Sequence, residues 1–512
     1  MNAYSQTHSA ASLSQSEAPS LTGRAGGESR AGGASRAVGA SVIIQFGEGN
    51  FLRAFVEWIA QQLGFTVAIV KPRPGNSLEQ LKAQQCRYHV NLQGLLNGKT
   101  VDSMEEMTCV AAAINPYDDH AAFLALADNP DARFIVSNTT EAGIVFDPSC
   151  RLADTPPVSY PAKLTQLLYR RFRTYGGDTS KGFIILPCEL IFHNGHALHT
   201  CVQQYIELWQ TELGADFEAF RSWVNTACYF CTTLVDRIVP GYPKKDADLL
   251  QARLPQPDPL LVQAEPYHLW VIEVPLNLSI EKLTAELPAA KVGLNVVITT
   301  DESPYHERKV TLLNGPHTVL SPVAFLAGLD IVRDACQHEV IGPFVRRVMY
   351  DELLPTLNLP EDELRCFAND VLERFCNPFV DHQLTSIMLN SFPKYSTRDL
   401  PALKRYFERR GSLPAALVLG LAAICIYYRG GQRADGTPIQ PNDDPRIMQL
   451  LSDLWATGDS RRVAEGVLAA SELIWHEHGD LNSIPGLTDL LTESINAILR
   501  DGMMATVEHL IG

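Results

Sequence analysis

Long hydrophobic runs are scarce in this 512-residue chain, and the longest, Leu413 to Tyr428, contains Pro414 and Gly420. A bilayer-spanning helix needs roughly 18 to 20 apolar residues, so this stretch reads as a buried helix and no membrane partner is expected. Basic charge is also short. Lys plus Arg number 42 against 58 Asp plus Glu, a formal charge of −16 that repels polyanions and excludes nucleic acid as a natural partner. The 11 cysteines show no repeated spacing, and an odd number of scattered thiols fits a reducing, cytoplasmic setting better than a disulfide framework. Cys228 and Cys231 form a lone CxxC with no second ligand pair, which reads as two thiols one helical turn apart.

What is present is ordinary globular usage, with 46% hydrophobic and 20% charged residues. At roughly 150 residues per domain the length suits two to four domains. Residues 1–40 are rich in Ser, Ala and Gly and read as a disordered tail. Glu17, Glu28 and the lack of an apolar segment argue against a targeting signal there. From Ser41, short apolar runs alternate with helical patterns: SVIIQF, a helix through Phe55, Trp58, Ile59 and Leu63, then FTVAIV. Strand, helix, strand is the unit of a parallel sheet covered by helices. RFIVS at 133–137, GFIIL at 182–186, HLWVIEV at 268–274 and LNVVIT at 294–299 are further strand candidates. Beyond Ser303 the apolar spacing turns helical. The fold class expected is an α/β Rossmann-like N-terminal domain over 41–300 plus an all-α C-terminal domain over 301–512.

The first strand runs into FGEGNFLRAF, where Gly47 and Gly49 begin a dinucleotide fingerprint and Leu52 replaces its third glycine. Two glycines permit the tight turn and let backbone N–H groups of Gly49, Asn50 and Phe51 approach a pyrophosphate, with Arg53 as a candidate charge-assisted contact. The second strand ends Val70-Lys71-Pro72-Arg73. Cations in place of the usual ribose-binding acid would suit the 2′-phosphate of NADP, and solvated loop charge is the alternative. SNTTEAG, at the carboxyl end of a later strand, puts Thr140 and Glu141 on the cofactor side.

KVTLLNGPH carries Lys309, Asn314 and His317 behind a helix start at Ser303-Pro304. At about 100° per residue, Asn314 lies about 140° and His317 about 80° from Lys309, one broad face unless Pro316 kinks the helix. Those types suit metal-free alcohol oxidation. A partly desolvated Lys serves as base, an Asn amide donates to the developing oxyanion, and a His orients the same oxygen.

The Lys-x4-Asn-x2-His spacing resembles that of the long-chain polyol and sugar-acid dehydrogenases, the mannitol dehydrogenase family. FGEGNFLRAF, SNTTEAG, SYPAKLT, PCEL, TLVDRIVPGYP and ERKVTLLNGPHT are similar, in one order, to segments of its sugar-acid branch, and the likeness runs from about Ile43 to the C-terminus. It implies an NAD-linked interconversion of D-tagaturonate and D-altronate in hexuronate catabolism, with Lys309 as general acid and Asn314 polarising the carbonyl. D-fructuronate, a hexitol, or a non-catalytic NAD-binding sensor are the alternatives. Asp236 matches the family's aspartate at the cleft, with a structural ion pair to Arg237 as the other reading. Cys188-Glu189-Leu190 stands where many polyol members have Cys-Asp-Asn, and His306 where some relatives have Glu. A small sugar acid needs local cations in an acidic protein. His382, Lys394 and Arg398 are the candidate substrate-binding residues, with Lys394 or Arg398 gripping the carboxylate.

No metal is expected. His193, His196 and His199 have no carboxylates beside them, and Trp475-His476-Glu477-His478 lacks HExxH spacing. The assembly expected is a monomer or a homodimer.

Overall fold

The computed structural model describes residues 41–140 and 142–512, so the expected tail and Glu141 lie outside the described residues. The strands of the first half are β1 (Val42–Phe46), β2 (Thr66–Val70), β3 (Tyr88–Leu96), β4 (Lys99–Met107), β5 (Val110–Ile114), β6 (Ala132–Ser137), β7 (Ile184–Pro187), β8 (Tyr229–Phe230), β9 (Thr232–Asp236), β10 (Val262–Ala264), β11 (Leu269–Glu273) and β12 (Val296–Thr299). One six-stranded sheet has the order β5-β2-β1-β6-β7-β8. Every pairing in it is parallel. β1 is buried along its whole length, as a strand covered on both faces must be. The chain leaves β1 to one side for β2 and later returns to the other side for β6, which opens a crevice at their carboxyl ends.

Phe46 pairs with Val70 on one side and Ser137 on the other, so the loops beyond them leave the sheet side by side. Helices Tyr160–Thr174, Asn194–Leu208 and Phe217–Ala227 cover one face, with Phe46, Trp209 and Trp223 in the core between. Helix Val56–Leu63 packs on the other face, where Phe55, Trp58 and Trp270 join the sheet to two smaller ones. Those are β10-β3-β4 and β12-β11-β9. The runs at 268–274 and 294–299 are therefore strands, but of a separate sheet in which β11 runs antiparallel to β9. Cys228 and Cys231 are buried free thiols flanking β8, on extended chain and not one helical turn apart.

From Ser303 to Ile511 the chain is built of helices joined by loops, with one short hairpin among the described residues, Gly431–Gln432 with Pro438–Ile439. The apolar stretch forms helix Ala415–Arg429, buried without exception from Ala416 to Tyr428. It lies so close to helix Gly315–Leu326 that a Cβ on Gly420 would meet Val319 Cγ1 at 2.6 Å. No described helix is long and apolar enough to cross a membrane.

Candidate active site

The turn after β1 is built around Gly47, whose φ of +123° only glycine adopts readily. A Cβ there would stand 2.7 Å from Leu52 Cδ1 and 3.0 Å from the Asn138 carbonyl. Leu52, in place of the third glycine, is thus the residue that crowds the turn. Gln45 holds the turn from beneath, its Nε2 donating to the Gly47 carbonyl at 3.0 Å and to the buried Glu57 carboxylate at 2.7 Å. Gly49 has an ordinary φ of −71° and nothing within 4 Å of a would-be Cβ, which leaves its backbone open to a ligand. Asn50 and Phe51 start the next helix, with Phe51 stacked on Phe55 at 4.9 Å. These residues fit a dinucleotide's pyrophosphate through backbone N–H groups.

Two of the expected charges are placed differently. Arg53 is 9% exposed, over the Tyr88 ring, and donates to the Leu260 carbonyl and to Asn50 Oδ1, each at 2.5 Å. It lies on the buried face of its helix, so its bonds run inward and not to a phosphate. Lys71 is 4% exposed, paired with Glu48 at 2.8 Å and bonded to Ser77. Its charge is neutralised by the chain itself, which weakens the case for a 2′-phosphate ligand; Arg73 is exposed.

A cavity of about 360 Å³ joins this side to the helical half, lined by Phe51, Asn138, Thr140, Leu190, Asp236 and Lys309 among others. Thr140 holds φ at +73°, unusual for a β-branched residue and the kind of backbone strain that clusters at ligand sites. Lys309 Nζ donates to the Val235 carbonyl at 2.8 Å. Asp236 lines the same cavity, yet both its oxygens accept from Arg374 at 2.9 Å, and Arg374 also binds Glu265. Burial alone would raise the Asp236 carboxyl, but Arg374 and Lys309 outweigh it and hold it below the usual range. The ion pair at this aspartate is with Arg374, 138 positions away, and not with Arg237. Arg237 instead donates to the Glu265 and Ala54 carbonyls, and burial pushes its guanidinium down to about 10. Leu190 puts an apolar side chain, 65% exposed, on the cavity wall, while Glu189 turns inward to accept from Thr139 and Ser137.

Helix Ser303–Lys309 passes through one π-helical turn, Val310–Asn314, into helix Gly315–Leu326. A π turn closes i→i+5 bonds, so Asn314, five residues on, comes back toward the Lys309 side of the helix, and it also lines a second cavity. This one measures about 580 Å³ and is lined by Phe192, His306, Glu307, Asn314, Arg398 and Arg405 among others. Arg398 donates to Thr318 Oγ1 at 3.2 Å. Lys394 is not on its wall; the ammonium donates to the Ile387 carbonyl at 2.8 Å. His317 stacks on Phe375 at 4.0 Å with its edge toward His382 at 5.3 Å, and its Nε2 is buried with no partner among the described residues. Burial, then His382, Arg374 and Arg398, hold its pKa well below the usual value, so the ring is neutral near pH 7.

Sequence reasoning passed over Asn138, Val235, Glu307 and Arg405. Asn138, at the carboxyl end of β6, stood in the SNTTEAG segment and was findable by position. Of the discounted histidines, His193 stacks at 3.8 Å on Phe192 of the larger cavity's wall. His199 bonds Asn225 at 2.9 Å, His193 and His196 sit 5.6 Å apart, and His476 to His478 form a single 3₁₀ turn. Among the described residues no group of three or more His, Cys, Asp or Glu is placed to hold a metal ion.

A glycine turn at the switch point of a parallel sheet, facing a lysine from a helical half across one cavity, is the arrangement of a two-domain dehydrogenase. The mannitol dehydrogenase Rossmann domain model matches residues 41–284, and the mannitol dehydrogenase C-terminal domain model matches 301–499. An altronate oxidoreductase of Phocaeicola vulgatus is 57% identical over 475 residues, covering 92% of this chain and 96% of the relative. One from Bacillus subtilis is 42% identical, covering 91% and 94%. Mannitol 2-dehydrogenase of Pseudomonas fluorescens, solved with NAD and D-mannitol, shares the fold at a TM-score of 0.64 and 21% identity, covering 93% and 95%. A D-sorbitol dehydrogenase does so at 0.74 and 20%, covering 92% and 98%. The chain belongs to the mannitol dehydrogenase family and is a dehydrogenase.

Proposed function

We propose that the protein interconverts D-tagaturonate and D-altronate with NAD(H) as cofactor. The relatives named altronate oxidoreductase support the substrate pair, since the likeness extends over nine-tenths of both chains. The observation that carries the chemistry is Lys309 on the wall of a cavity also lined by Phe51 after β1, by Asn138 and Thr140 after β6, and by Asp236. When bound, the nicotinamide gives or takes the hydride. Gly47, Gly49, Asn50, Phe51 and Thr140 are the groups we assign to holding it.

In the reducing direction Lys309 donates its proton to the oxygen that becomes the alcohol, and in oxidation it receives that proton. Its bond to the Val235 carbonyl aims the ammonium, and Asp236, already engaged by Arg374, supplies negative charge beside it without needing a proton itself. Asn314 is assigned to the substrate carbonyl, and neutral His317, stacked on Phe375, to orienting the same oxygen. Arg398, which among the described residues has a hydroxyl and no carboxylate as partner, is assigned to the sugar-acid carboxylate.

Lys309→Ala tests the assignment. A general acid contributes roughly 10²- to 10⁴-fold, so kcat falls by that factor while NADH binding persists. Turnover at the parental rate by Lys309→Ala would overturn the mechanism.

A further inference from the structure

The larger cavity holds a second guanidinium. Arg405, on helix Leu400–Arg410, lines it together with Arg398 and Asn314, and pairs there with the Glu307 carboxylate. Its Nε is buried with no partner among the described residues, so one edge of the fork is unused. Glu307 and Arg405 retain 34% and 27% side-chain exposure, the setting of a weak ion pair that exchanges readily. The cavity's other carboxylate, Asp301, accepts from the Ser303 N–H at 3.0 Å and stays with its own helix start.

We propose that Arg405 is a specificity-determining residue for the sugar acid, sharing its carboxylate with Arg398 on the same cavity wall, and that Glu307 occupies the Arg405 guanidinium only until the substrate carboxylate displaces it. This inference rests on the sugar-acid reading above. A guanidinium fork matches a carboxylate through two parallel N–H bonds, which a lysine cannot reproduce. Glu307 is a carboxylate of the chain in the place a carboxylate ligand would take, and it sits two residues before Lys309 on the same helix. Displacing it couples recognition of the acid group to the element that carries the proton donor. A neutral ketose has nothing to exchange with Glu307 and gains nothing from Arg405.

The test is steady-state kinetics of the full-length enzyme with D-tagaturonate and NADH. Arg405→Gln and Arg405→Lys are each expected to raise KM for the keto acid by roughly tenfold or more, with a smaller change in kcat. Glu307→Gln is expected to lower KM, because the competing carboxylate is gone, and to lose that advantage in the Arg405→Gln background. An Arg405→Lys enzyme whose KM stays within twofold of the parent overturns the proposal, and so does a Glu307→Gln enzyme whose KM rises. If the parent itself fails to reduce D-tagaturonate, the sugar-acid reading falls first and takes this inference with it.

Discussion

Adding one methyl group to the turn after β1 has opposite consequences at its two glycines. At Gly47 the methyl collides with Leu52 and the Asn138 carbonyl, and φ is +123°. Gly47→Ala is therefore expected to destabilise the fold by about 2 kcal/mol or more as well as to abolish NADH binding. At Gly49 the backbone is relaxed and the space is open, so Gly49→Ala should leave the melting temperature within a degree or two while weakening NADH. Thermal unfolding and NADH titration of both variants check this; a Gly49→Ala protein with unchanged NADH affinity would remove Gly49 from the cofactor site. The glycines were legible in sequence because tight turns demand them. Arg53 was misread for a physical reason: sequence shows a cation near a phosphate turn but not which side of a short helix is buried.

At the scale of elements, the helix that carries Lys309 begins beside a buried acid. Glu302 is 2% exposed with Oε2 unpartnered among the described residues, and burial, then Glu273 and Asp301, push its carboxyl from 4.5 to about 7. A folded pKa above the unfolded one means that this group's contribution is complete below about 4.5 and lost as pH rises through 7. That loss is on the order of 3 kcal/mol. Glu302→Gln keeps the shape without the titration, so its melting temperature relative to the parent should climb between pH 5 and pH 8; a constant difference across that range contradicts the assignment. Strands rich in branched apolar residues, such as β1, β2, β6 and β7, were plain in the sequence. The hairpin β3–β4 was not read, although Tyr88, Val90 and Leu92 alternate with His89, Asn91 and Gln93 at the period of a half-buried strand and Asn97-Gly98 is a two-residue hairpin turn. Nor was the sheet to which β11 and β12 belong, since pairing partners are chosen by packing. The π turn at Val310–Asn314 also left no trace, since one added residue in a helix does not show in its apolar spacing.

Across the whole molecule, Arg374 fastens the helical half to the strand half. Its guanidinium, buried between Asp236 and Glu265, stands on helix Glu361–Phe375 while both carboxylates belong to the first 300 residues. Arg374→Met would strand two buried carboxylates and is expected to cost about 3–5 kcal/mol, read as a lower denaturant midpoint. A midpoint equal to the parent's would mean that this pair does not join the halves. No local pattern announces a contact across 138 positions. The broad division into an α/β part and a helical part, by contrast, comes from a change in hydrophobic period that the sequence displays openly. The central claim is the reaction itself. Its most direct test is the decay of reduced-nicotinamide absorbance when the protein is offered D-tagaturonate, D-fructuronate or D-fructose, with NADH and NADPH supplied separately. Rapid oxidation of NADH with D-tagaturonate, and little with the other pairs, is the expected result. Preference for D-fructose or for NADPH, or silence with every pair despite NADH binding, would contradict it.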